Sequence, residues 1–201
     1  MFKEVEIERK TKETEISLKL NLEGNGDSDI DTGIGFFDHM LELFSCHGFI
    51  NLDISVNGDL YVDEHHTVED VGIVLGQAIS KALGEKRGIR RYGDVTLPMD
   101  ETLVQVVLDL SGRPYYLDDL KFSREIVGDF PVELFEEFFR ALTNNSGMNL
   151  HILMIRPGNA HHVIEACFKA FGRALDQALQ RDNRLGDKAM STKGSLKEGG
   201  S

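Results

Sequence analysis

At 201 residues, 41% hydrophobic and 28% charged, the chain has the size and make-up of one globular domain or two small packed halves, which excludes global disorder and a large multidomain machine. Its 34 acidic residues outweigh 22 basic ones, for a net charge of -12 at pH 7. That excludes a general binder of nucleic acid or acidic membranes but leaves room for a local basic pocket around a small anion.

Cys46 and Cys167 stand alone, so neither a disulfide scaffold nor a thiolate zinc site is expected. The opening stretch, Met1 to Arg9, is charged throughout and lacks the apolar centre of a signal peptide. No apolar run approaches the roughly 20 residues of a membrane span. A cytoplasmic protein without membrane contact is expected.

Val5 and Ile7, then Ile16, Leu18, Leu20 and Leu22, alternate with polar partners, as in the half-buried strands of a hairpin at a sheet edge. Gly24 to Ser28 carries turn chemistry. Phe36, Phe37, Met40, Leu41 and Phe44 recur at helical spacing up to Gly48, and Thr32-Gly-Ile-Gly35 reads as the entry to that helix. Ile50 to Val56 returns to period two. A second helix is predicted from His66 to about Leu83, closed by Gly84.

The order then repeats. Strands are predicted at Tyr92 to Leu97 and Leu103 to Leu110, a helix at Val132 to Leu142, a strand at Leu150 to Ile155, and a long helix from His162 to about Gln180. Two strands, helix, strand, helix, written twice, is the signature of an internal duplication. Residues 1–90 form the first predicted repeat and 91–185 the second. The stretch 186–201 is left as a tail, its last five residues expected to be disordered.

The duplication reaches individual residues. His65-His66-Thr-Val-Glu69 has a twin in His161-His162-Val-Ile-Glu165, and Asn51-Leu-Asp-Ile54 parallels Asn149-Leu-His-Ile152. On a helix, residues four apart share a face while neighbours diverge by about 100°. Each motif therefore offers one His/Glu pair to one metal ion and a second imidazole to another. His39 and Glu137 are the natural additional donors. Mixed nitrogen and oxygen ligation without sulfur suits Mn²⁺, Fe²⁺ or Zn²⁺. Arg90, Arg91, Arg113 and Lys169 are candidate anion-binding cations, and Ser191-Thr192-Lys193 could hold a phosphate from the tail.

Together these segments resemble the imidazoleglycerol-phosphate dehydratase family. The matching stretches are Thr32 to Leu41, Asp63 to Asp70, Pro98 to Glu101, Asp109 to Tyr115, Leu150 to Ile152, His161 to Ala170 and Ser191 to Gly194. The resemblance implies an α+β fold of two duplicated halves, each a four-stranded sheet with two helices, the helices sandwiched between the sheets. It also implies a hydro-lyase of histidine biosynthesis with two Mn²⁺ ions per active site, in a homo-oligomeric cage of twenty-four chains whose active sites lie between subunits.

Carried over by position, the metal ligands are His39, His65, His66, Glu69, Glu137, His161, His162 and Glu165, although many relatives place histidine at the position of Glu137. Arg91, Arg113, Lys169, Ser191, Thr192 and Lys193 would hold the substrate phosphate. Glu13 would contact substrate and, with Glu64, Glu69 and Glu165, serve the proton transfers. The hydrogen to be removed is not acidified by a carbonyl, so the imidazole ring itself must push electrons toward the departing hydroxide. Metal ions at the ring nitrogens would favour that push.

Overall fold

A computed structural model describes residues 2–193 and 196. The first half runs β1 (Val5–Lys10), β2 (Thr14–Asn21), β3 (Ser28–Asp31), α1 (Gly35–Gly48), β4 (Asn51–Gly58) and α2 (His65–Leu83). The second runs β5 (Tyr92–Met99), β6 (Thr102–Asp109), β7 (Tyr115–Asp118), a small ribbon of β8 (Ile126–Val127) and β9 (Phe130–Pro131), α3 (Leu134–Ser146), β10 (Asn149–Arg156) and α4 (Ala160–Leu179).

Each half builds one four-stranded sheet, in the order β1-β2-β4-β3 and β5-β6-β10-β7. The two sheets keep one register: Leu20 faces Leu52 in the first, and Leu108 faces Leu150 in the second. Both edge strands β3 and β7 run parallel to their neighbours. They correct the predicted pattern of two strands before the first helix of each half: three strands of the sheet precede it, and in the second half the β8–β9 ribbon does as well. Four-residue edge strands such as Ser28–Asp31 bury almost no side chain, so their pairing comes from the neighbouring strand rather than from hydrophobic alternation.

Burial of one face of each sheet, Ile16, Leu18 and Leu20 in β2 and Val104, Val106 and Leu108 in β6, places the helices between the sheets. There α2 packs on α3 and α1 on α4, so every helix contact of this kind crosses from one half to the other. Rings lock the layer: Phe44 stacks on Phe171 at 5.1 Å, and Phe138 meets Phe37 at 5.2 Å and Phe168 at 5.4 Å. Full burial of each such side chain stabilises by about 1.5–3 kcal/mol.

Two glycines let the backbones approach. A Cβ added at Gly76 would sit 2.5 Å from the Leu142 carbonyl oxygen, and one at Gly172 would sit 2.6 Å from that of Phe44. The two crossings are related by the duplication, and neither has room for a methyl group.

Helix ends differ slightly from expectation. α3 starts at Leu134 because Val132 N–H still donates to Glu125 O at 2.9 Å, and it continues to Ser146, where Gly147 turns left-handed. α1 is closed by Phe49 at φ 53, not by Gly48, and the Arg173 guanidinium covers its ring at 5.5 Å. Among the described residues no helix is long and apolar enough to cross a membrane. Cys46 and Cys167 are free thiols, the second fully buried.

Candidate active site

Both histidine doublets stand at helix N-termini held by the same device. Asp63 Oδ1 accepts from His65 N–H, and Asn159 Oδ1 from His161 N–H, each at 2.9 Å, satisfying an orphan donor of the first turn. Adjacent rings then splay: His65 and His66 lie at 89° to each other, His161 and His162 at 87°. One ring of each pair points down its helix toward the glutamate a turn later, and the other points toward the loops.

At the α4 end three donors converge. His161 Nε2 lies 3.1 Å from Glu165 Oε2, and His39 from α1 joins them, so that all three ligand atoms fall within 4.8 Å of one another. His39 reaches this point because Asp38, its neighbour, accepts from Thr32 N–H at 2.8 Å and fixes the start of α1. The second Glu165 oxygen meets Lys169 Nζ at 2.6 Å. Burial alone would raise the Glu165 pKa, but Lys169, with His161 and His39, holds it below the ordinary carboxylate range. Two imidazoles and one ionised carboxylate, without sulfur, fit a divalent ion of the Mn²⁺, Fe²⁺ or Zn²⁺ type.

At the α2 end the same parts are looser. His65 Nε2 and Glu69 Oε2 are 3.7 Å apart, and both side chains are about half exposed. Glu137 is half-buried in the first turn of α3, at the position in the second half that His39 holds in the first. Among the described residues no three-donor group contains Glu137, His65 or Glu69, and none draws on both histidine doublets.

The outward rings have carboxylate partners of their own. His66 Nδ1 faces both oxygens of Asp59 at 3.1 and 3.2 Å, which raises the His66 pKa, and its Nε2 lies 3.8 Å from Glu13. His162 Nδ1 faces both oxygens of Glu101 at 3.1 and 3.2 Å, with Asp100 4.0 Å from Nε2. Glu101 also accepts from Asn159 N–H at 2.6 Å, and this bond, its own backbone N–H and His162 draw its pKa down to about 2. Asp59 and Glu101 carry no signal in the motif itself. Glu64 lies just before α2, and its side chain joins none of these clusters among the described residues.

Of the expected phosphate-binding cations, Lys169 stands beside the three-donor cluster. Arg91 is buried: Nε and Nη2 bind Asp109 at 2.6 and 2.8 Å, and Nη1 holds Met190 O at 2.7 Å. It thereby ties the tail to β6, with its remaining Nη protons left for a ligand. Ser191 Oγ accepts from Lys193 N–H at 3.2 Å, and Thr192 and Lys193 are exposed. Gly194 and the expected disorder of the last five residues lie outside the described residues. Arg113 is exposed in the turn after β6, where Ser111 Oγ accepts from its N–H at 3.1 Å.

His47 was not anticipated. It sits two turns after His39 on α1, and burial, then the charges of Lys169 and Arg173, push its pKa down. Its spacing from His39 was the available signal.

The sequence model that matches this chain is that of imidazoleglycerol-phosphate dehydratase, over residues 32–175. The chain belongs to this family. The matched stretch holds both histidine doublets, His39, Glu137, Arg91, Arg113 and Lys169, whereas Glu13 and the Ser191–Lys193 segment lie outside it. An imidazoleglycerol-phosphate dehydratase of Acetivibrio thermocellus is 59% identical over 165 residues, 82% of this chain and 84% of the relative. That of Geobacter sulfurreducens is 54% identical over the same shares. The solved dehydratase of Staphylococcus aureus superposes with a TM-score of 0.82 at 43% identity, over 90% of this chain and all of that one. The Pyrococcus furiosus enzyme gives 0.80 at 35% identity, over 94% and 99%.

Proposed function

We propose that the chain performs the reaction its family is named for, the removal of water from imidazole glycerol phosphate to give imidazole acetol phosphate in histidine biosynthesis. The observation that carries the reading is the convergence of His39, His161 and Glu165, with Lys169 alongside, within a chain that belongs to this family.

Two Mn²⁺ ions per active site are the cofactor we assign. His39, His161 and Glu165 of one copy would hold one ion together with His66 of a second copy. His65, Glu69 and Glu137 of that second copy would hold the other, together with His162 of the first. The splay of each doublet supports this division, since one ring of each pair follows its helix to the glutamate and the other turns away. The loop before α2 supports it, since Tyr61 is 90% and Val62 55% exposed beside the histidines, as an interface between copies requires. We assign the assembly to a closed cage of twenty-four chains in the cytoplasm.

When bound, the ions act as Lewis acids toward the nitrogens of the azole ring. The chain's own residues do the rest. Lys169, Arg91, Arg113 and the segment Ser191, Thr192 and Lys193 would bind the phosphate and so fix the reacting carbon. Glu13, 3.8 Å from His66 Nε2, is the carboxylate we assign to take the proton from substrate carbon. Glu64, Glu69 and Glu165 are the further carboxylates assigned to the proton transfers.

The test is product identification with purified, Mn²⁺-loaded protein. Imidazole acetol phosphate is the expected product; folded, metal-replete protein without turnover contradicts the proposal. Replacement of Lys193 by alanine is expected to raise KM about tenfold with Mn²⁺ content unchanged, near 1.4 kcal/mol of substrate binding.

A further inference from the structure

The outward imidazoles, His66 and His162, are held by the same contact drawn from different places in the duplicated fold. In each, Nδ1 faces both oxygens of one carboxylate at 3.1 and 3.2 Å. For His66 the carboxylate is Asp59, just past the end of β4; for His162 it is Glu101, in the turn that opens β6. These are not duplicated positions. The register puts Thr14 of β2 opposite Thr102 of β6 in the repeat, so the twin of Glu101 is Glu13. Glu13 faces His66 Nε2 instead, at 3.8 Å. The two halves have diverged in which residue supplies the carboxylate and have kept the contact.

A carboxylate accepts only from a protonated ring nitrogen, so each contact places the proton of the neutral imidazole on Nδ1 and leaves the Nε2 lone pair directed outward. We propose that Asp59 and Glu101 are positioning residues that fix the tautomer and ring plane of His66 and His162, making Nε2 the metal-binding nitrogen of each. The proposal rests on the ligand assignment above but is separable from it. Asp100, Glu101 and His162 also lie within 4.8 Å as a three-donor group. Both Glu101 oxygens face Nδ1, however, and Oε1 also accepts Asn159 N–H, which suits a partner that orients the ring rather than a ligand.

The experiment uses the full chain in two states. In metal-free protein labelled with ¹⁵N-histidine, at a pH where the rings are neutral, His66 and His162 are expected as Nδ1–H tautomers. Asp59→Ala should release His66 alone to a mixture, and Glu101→Ala should release His162 alone. In Mn²⁺ titrations each alanine variant should weaken one of the two ions by roughly ten- to a hundredfold. Asp59→Asn and Glu101→Gln, which keep an acceptor oxygen, should restore the tautomer and much of the affinity. The glutamine variant also covers the case in which Glu101→Ala loosens the start of α4. A merely structural role would lower thermal stability without moving the tautomer. Wild-type tautomers in the alanine variants, or Mn²⁺ affinity within about twofold of wild type, would overturn the proposal. Wild-type protein that binds no Mn²⁺ would sink the ligand assignment, while the tautomer measurement would still decide this one.

Discussion

The α4 end and the α2 end of the molecule are built to one plan, yet one is assembled within a single chain and the other is not. At α4, the Glu165 side chain is 10% exposed, paired with His161 and Lys169, and joined by His39. At α2, Glu69 is 44% exposed and 3.7 Å from His65. The difference traces to two substitutions at equivalent positions. Ile73 stands one turn past Glu69 where Lys169 stands one turn past Glu165, and Glu137 stands where His39 does. Duplication fixed the helices and strands; a lysine and an imidazole decide how far the donors are drawn together before an ion arrives. On the proposed assignment, the looser end would depend more on its ion and on a second copy of the chain.

The largest expected effect comes from removing one imidazole at either end. His161→Ala and His65→Ala should each lower kcat by at least about a thousandfold and release Mn²⁺, read by metal analysis beside the product assay. Retained metal in either variant would break the equivalence of the two ends.

The glycine crossings test whether the scaffold is symmetric where the sites are not. Gly76→Ala and Gly172→Ala should each cost about 1–3 kcal/mol, measured as a fall in Tm of about 2–4 °C per kcal/mol. Gly35→Ala, where an added Cβ meets nothing within 4 Å, is the control and should leave Tm unchanged.

Smaller changes should make one end imitate the other. Lys169→Ile copies the α2 residue onto α4 and should lower kcat/KM about tenfold with Mn²⁺ retained, since it removes the partner of Glu165 and one cation of the proposed phosphate pocket. Glu137→His copies the α1 donor onto α3. It should shift the second ion's preference from Mn²⁺ toward Zn²⁺ by a few fold, seen in competitive metal titration.

Much of this was legible in the sequence because the signals were periodic or repeated. Leu18 and Leu20 announce β2 by alternation, Phe37 and Phe44 announce α1 by helical spacing, and the two His-His-x-x-Glu runs announce each other. The strands Ser28–Asp31 and Tyr115–Asp118 were not legible, since an edge strand held by one parallel neighbour needs no hydrophobic pattern of its own. Asp59 and Glu101 were hidden for a related reason. Their contacts with His66 and His162 are made by chain reversals at the ends of strands, and no spacing along the sequence encodes them. Arg91 was foreseen as a cation but not as the tether of the tail through Met190.

The measurement that reaches the centre of the account is subunit complementation. His161→Ala disables the α4 end of every copy and His65→Ala the α2 end, so each variant alone should be inactive. Equal amounts assembled together should recover about a quarter of wild-type activity, because in that fraction of sites both contributing ends are intact. No recovery from fully mixed assemblies would contradict an active site shared between copies.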